Sequence, residues 1–389
     1  MSYHRITKNL YPCMQMRILS PFTAIYPVMQ TTYDHVDCNQ SISNDLCQER
    51  NDGYNDNQFP VESPLSPLDK MRLHNGIHNV KIFFHELANH NKEEAIQFIN
   101  DENLCFGSLF LLRSEIEELD IFSNLNIKNK MALEITNEIL MGKKTITSID
   151  CTSCDYIQRV YIALKWMFET GRIDDGLSNE YDQVLDATAI LLIKVYKDRR
   201  ILPMLVKIIV QRYKKGFYIH DLIWAFFEAQ DPGSLILIGD YLRSKQQEEI
   251  ELANKLLRFI PDLAIHDRGD TQKQYALFMQ WMKENRWFLH FTGESLQQSH
   301  HPSPYIVDFG AKYLCKPIDI DTGKIIERLT EREKKILNRF EQLRDPIKDL
   351  LAKFSFSLYV ADRYQWHTWM NYSLEEQIKI VRTGIGGMV

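Results

Sequence analysis

The stretch from Arg199 to Pro261 admits few folds, because apolar stripes at helical spacing alternate there with short polar breaks. Its sharpest unit runs from Asp231 through Pro232, Gly233 and Ser234 into Leu235, Ile238, Gly239 and Leu242. Asp231 suits an N-cap, since its carboxylate can accept N–H groups that the first helical turn leaves without partners. Pro232 suits the first helical position, where no N–H is needed and φ is already set. The residues after it recur at helical spacing and make one apolar stripe. Ser244, Lys245 and Gln246 break the pattern, after which Ile250, Ala253, Leu257 and Ile260 line a second helix that Pro261 ends. Two such helices cannot bury their stripes alone, so they must stack on neighbours.

The same texture reaches back to Leu68. Ile82, Phe83, Leu87, Ala95, Phe98 and Ile99 begin it, and residues 109–119 and 131–140 continue it, with Gly142 as a helix stop. Ile157, Val160, Tyr161, Leu164 and Phe168 follow, stopped at Gly171, and then Leu185, Thr188, Leu192 and Val195. Leu202, Leu205, Val206, Ile209 and Tyr213 lead to Gly216, and Ile219, Leu222, Ile223 and Phe226 follow it. No strand alternation interrupts this region. The pattern predicts an all-α fold, an α-solenoid-like stack of antiparallel helix pairs.

With its short loops and the Asp231-Pro232 start, the run over roughly residues 150–261 resembles HEAT and armadillo-type helical repeats. The proline near the start of a first helix carries the resemblance; strict periodicity and a regularly placed arginine in each second helix are missing. The resemblance implies a stacked-helix surface that binds other macromolecules.

Four regions are expected. Residues 1–36 are apolar and punctuated by Pro12, Pro21 and Pro27, which suits a strap on the protein's own body or a docking segment for a partner. Their tyrosine-proline and methionine texture is also similar to structural proteins of bacterial spore layers. Residues 37–67 are rich in Asn and Asp and read as a polar linker, with Ser66-Pro67 able to cap the first helix. Residues 68–265 form the repeat domain. Residues 266–389 form a C-terminal helical module, in which Thr330/Glu333 and Ser373/Glu376 are capping boxes and Asp345-Pro346 repeats the cap-then-proline device.

A formal net charge of −6 argues against a nucleic-acid binder, which neutralises phosphates with a basic face. No run of apolar residues is long enough to span a bilayer, and no secretory leader is evident. The seven cysteines are sparse and odd in number, which fits reduced thiols and a cytoplasmic location.

Few residues suggest chemistry. Asp308-Phe309-Gly310 is similar to the metal-binding triplet of protein kinases, but the glycine-rich turn, strand lysine and catalytic loop that would accompany it are missing. Cys151 and Cys154 form a lone CxxC, short of the four ligands of structural zinc. His300 and His301 are adjacent, so their side chains diverge, and they read as part of a polar loop. Arg268-Gly269-Asp270 reads as a turn, and the sequon at Asn371 matters only in a secreted chain. Tyr364, Trp366, Trp369 and Tyr372, with Arg363 and His367, either anchor a terminal helix or stack on a ligand.

These features favour a non-enzymatic interaction or scaffold protein without a cofactor, acting on a protein partner or on a second copy of itself. The alternative is an enzyme with a pocket between the repeat domain and the C-terminal module, using Asp308, His300, His301 and the cluster around Trp366.

Overall fold

The computed structural model describes residues 65–142, 154–261, 263, 270–296, 298–320 and 322–385. The strap of residues 1–36, nearly all of the linker, and Cys151 with the side chain of Cys154 lie outside the described residues.

The chain is all-α. Ser66 opens α1 (Pro67–Asn75) by accepting the Asp69 N–H at 3.0 Å, with proline in the first turn. Next come α2 (Ile77–His90), α3 (Lys92–Ile99), α4 (Phe106–Leu111), α5 (Arg113–Glu118) and α6 (Ile127–Leu140). The long α7 (Cys154–Gly171) and α8 (Asn179–Lys194) precede α9 (Leu202–Lys215), which Gly216 ends in the left-handed conformation that glycine adopts without strain. α10 (His220–Glu228) follows. The Asp231 unit folds as expected at its start, where Asp231 accepts the Gly233 N–H at 2.9 Å. A 3₁₀ turn leads into a short α11 (Leu235–Gly239), which tightens again to 3₁₀ over Asp240–Arg243.

Some expectations fail in detail. α12 (Gln247–Leu256) stops before Pro261, although Leu257 and Ile260 stay buried in the turn beyond it. Ile82 belongs to the solvent face of α2 and is 43% exposed, because Val80, Phe84 and Ala88 are the side chains that face inward. After α13 (Thr271–Asn285), two short strands pair antiparallel, β1 (Leu289–Phe291) with β2 (Tyr305–Val307), in the register Leu289 to Val307. Three residues a side give too little alternation to read from sequence. Then follow α14 (Phe309–Tyr313), α15 (Glu331–Glu341), α16 (Asp345–Ala361), α17 (Arg363–Met370) and α18 (Leu374–Ile385). The two capping boxes form, at Thr330/Glu333 and Ser373/Glu376. Asp345 does not cap α16; Arg344 holds that position and Asp345 sits inside the first turn, where its charge still suits the helix dipole.

Helices pack both on the next in sequence and on the one after. α7 lies against α6 and α8, α8 against α6 and α10, and α9 against α10 and α11, and also against α12. That pattern is compatible with a helical-repeat fold. One apolar core runs without a break from Leu68 to Tyr305 and includes Phe278, Trp281 and Met282 of α13. A second gathers Tyr313, Phe340, Leu351, Trp366, Trp369 and Val381. A small cluster of Phe288, Ala311 and Ile318 sits beside the partly buried Val307 and Phe356, which belong to the surroundings of the first and second cores respectively.

Two buried arginines tie the first half together through neighbouring aspartates. Arg72 of α1 forks onto Asp174 at 2.5 and 3.0 Å, while its Nε donates to Ser108, whose hydroxyl donates to Asp69. One residue on, Asp175 accepts from Arg212 Nε of α9 at 2.8 Å, and Arg212 also donates to Asp186 of α8 at 2.9 Å. The turn carrying Asp174 and Asp175 is therefore pinned from two sides.

Two carboxylates on one guanidinium leave an excess negative charge. Burial, joined by the fields of Asp221 and Asp175, outweighs Arg212 and pushes the Asp186 carboxyl from 3.8 up to about 7. The fold thus holds this proton more tightly than the unfolded chain does, and the group's contribution to stability falls as pH rises through that interval. Asp186→Asn mimics the protonated form. Its melting midpoint should rise relative to wild type between pH 5 and pH 8, and a pH-independent difference would show that Asp186 is ionised throughout.

Candidate interaction site

The residues singled out in the sequence do not come together. Asp308 is the N-cap of α14 and accepts the Ala311 N–H at 2.8 Å, so the kinase-like triplet is a helix start. Trp366 is buried in the second core and donates from Nε1 to Ser355 Oγ at 2.8 Å. Trp369 is buried there too, edge-on to Tyr313. Arg363 lies over the Tyr359 ring, and Tyr364 is 81% exposed. The aromatic group thus divides between packing and solvent. Asp270 caps α13 by accepting the Lys273 N–H.

His300 is placed differently. β1 and β2 act as the base of a long hairpin, and the described parts of its loop, residues 292–296 and 298–304, lie against the helical body. The loop is held from within: Thr292 N–H donates to Pro304 O at 3.0 Å, and Thr292 Oγ1 donates to Ser303 O at 2.7 Å. Glu294 accepts the Ser303 N–H at 2.9 Å, and the Ser299 hydroxyl accepts the His301 N–H. Prolines at 302 and 304 restrict the returning limb.

Between this loop, α10 and the end of α12 lies a surface pocket. Its floor is Ile223, Phe227 and Leu256, with Trp224 and Leu296 beside them. Pro302 and Pro304 form one lip, and Lys255, Glu294 and His300 supply the polar edge. Its free volume is about that of a single water molecule, well short of a small-molecule site. It suits side chains from a larger ligand better than a whole cofactor.

Cations surround it. Lys194 Nζ stands 4.7 Å from the Trp224 ring centroid, and Arg258 Nη1 meets His301 Nδ1 at 2.5 Å. Lys255 lies close enough to His220 that, after desolvation by burial, its charge helps hold that imidazole below its usual range. Lys255 thus lines the pocket beside the carboxylate of Glu294, and Lys194 and Arg258 stand one residue back, against Trp224 and His301, on a chain of net charge −6.

Of the residues expected to matter, His300 lines the pocket and His301 stands beside it against Arg258. Trp224 was hidden because it sits on a helix between residues of a core stripe, and Lys255 and Glu294 are ordinary surface types. The tie between α12 and the hairpin loop is a tertiary event that no local pattern announces.

Elsewhere, the thiols of Cys105 and Cys315 are buried, and burial pushes each up to about 12, which leaves little thiolate at neutral pH. Among the described residues, no cluster of His, Cys, Asp or Glu is arranged to hold a metal ion, and no helix is long and apolar enough to cross a membrane. No protein family, curated protein or solved structure matches the chain.

Proposed function

We propose that this chain is a non-enzymatic interaction protein whose stacked helices form a solenoid-like scaffold, and that a protein partner docks where the hairpin loop meets α10 and α12. The observation that carries this reading is the small apolar depression with a half-buried tryptophan and a charged rim. Partner-binding surfaces favour that composition, in which an aromatic anchor sits within a polar border. The other candidate groups are engaged otherwise: Asp308 caps a helix, and Trp366 is held in a core by Ser355.

A photoreactive phenylalanine analogue at position 224, compared with the same analogue at the exposed position 364, tests the proposal in the cells that make the protein. Discrete protein adducts are expected at 224 and not at 364. Equal adducts at both positions, or none at 224, would count against a partner at this pocket.

A further inference from the structure

We infer that the partner segment at this pocket is an acidic peptide that lays one large apolar side chain against Trp224 and the proline lip and sets carboxylates against Lys194, Lys255 and Arg258. The inference rests on the interaction reading and names the chemistry of its partner.

Two features support it. First, the sign of the rim opposes that of the chain. Lys194, Lys255 and Arg258 come from α8, α12 and the turn after α12, so tertiary structure gathers them at one mouth. Glu294 faces them, but its Oε2 already accepts the Ser303 N–H. Asp221 is bonded to Tyr218, and Glu228 and Asp231 lie near Tyr305, next to Pro304. Such a mouth attracts carboxylates and repels basic segments.

Second, the floor is apolar. Ile223, Phe227 and Leu256 are buried, and the partly exposed Trp224, Leu296 and Pro302 flank them. An apolar side chain laid there from a partner takes further hydrophobic surface out of water. A nucleic acid would also find the cations, but it would gain little from the apolar floor and prolines, and the site is a mouth rather than a basic stripe.

The test uses the full-length protein and fluorescein-labelled peptides, Gly-Asp-Glu-Leu-Trp-Glu-Asp-Gly, its Asn/Gln counterpart and its Lys counterpart, read by anisotropy. The acidic peptide should bind at least tenfold more tightly than the neutral one, and the basic one should not bind. Lys255→Glu should weaken the acidic peptide about tenfold, as should raising NaCl from ~0.05 to ~0.5 M, which shortens the screening length from about 14 to 4 Å. Trp224→Ala should weaken acidic and neutral peptides alike; Trp224→Phe substitutes if the alanine variant melts early. Equal binding of all three peptides, with loss in Trp224→Ala, would overturn the acidic class while leaving the pocket standing. Binding unaffected by both substitutions would remove the site itself. A labelled oligothymidylate of matching charge that competes equally would overturn the peptide in favour of a nucleic acid.

Discussion

Arg212→Ala should destabilise the protein by about 3–5 kcal/mol, the range for removing one partner from a buried ion pair. Arg212 is 2% exposed and lies between Asp175 and Asp186. Cutting it back leaves both carboxylates, whose side chains are only 4% and 14% exposed, without their cation, and the aliphatic stem leaves a gap as well. Arg212→Lys should recover only part of the loss, because an ammonium cannot fork to two carboxylates in fixed geometry. Adding Asp186→Asn to Arg212→Ala should restore some stability by removing one stranded charge. Urea unfolding of the four proteins measures this. An Arg212→Ala midpoint within error of wild type would mean that water or another cation already serves the aspartates.

Phe278→Ala should cost about 3–5 kcal/mol, as truncating a fully buried phenylalanine generally does. Its effect should spread over the whole first core. The ring lies against Gly239 so closely that a Cβ there would stand 2.0 Å from Cε1. This glycine is therefore a site of close approach between α11 and α13. Gly239→Ala should force the ring aside and cost about 1–3 kcal/mol by overpacking. Because the apolar core runs unbroken from Leu68 to Tyr305, both variants should shift the whole thermal transition of that part of the chain. Early melting confined to α13, followed by hydrogen exchange, would instead mark the helix as a separately folding piece.

The helical fold was legible because it depends on local periodicity. Caps at Ser66, Asp231, Thr330 and Ser373 were readable for the same reason: a short side chain and its acceptor role lie within three residues of each other. Asp345 misled because a cap and a first-turn acid look alike beside proline. The paired arginine–aspartate ties were invisible, since Arg72 and Asp174 lie far apart in sequence and their residue types are common on surfaces. The candidate site was invisible for a related reason. His300 was noticed as a histidine in a loop, but its setting depends on a three-residue ribbon and on Trp224, which reads as one more apolar helix residue. Texture alone marked the cluster around Trp366, and Ser355 Oγ holds that indole in the core.

The most direct measurement is ¹⁹F NMR of protein labelled with 5-fluorotryptophan, titrated with the acidic peptide and its neutral counterpart. The chain has six tryptophans, and each resonance is assigned by substitution with phenylalanine. Trp224 borders the pocket, Trp287 is 42% exposed and does not line it, and Trp281, Trp366 and Trp369 are buried. The interaction reading predicts a saturable shift of the Trp224 resonance, with the resonances of Trp287, Trp281, Trp366 and Trp369 unmoved. A shift at Trp287 instead, or no shift at Trp224 with any peptide, would contradict it.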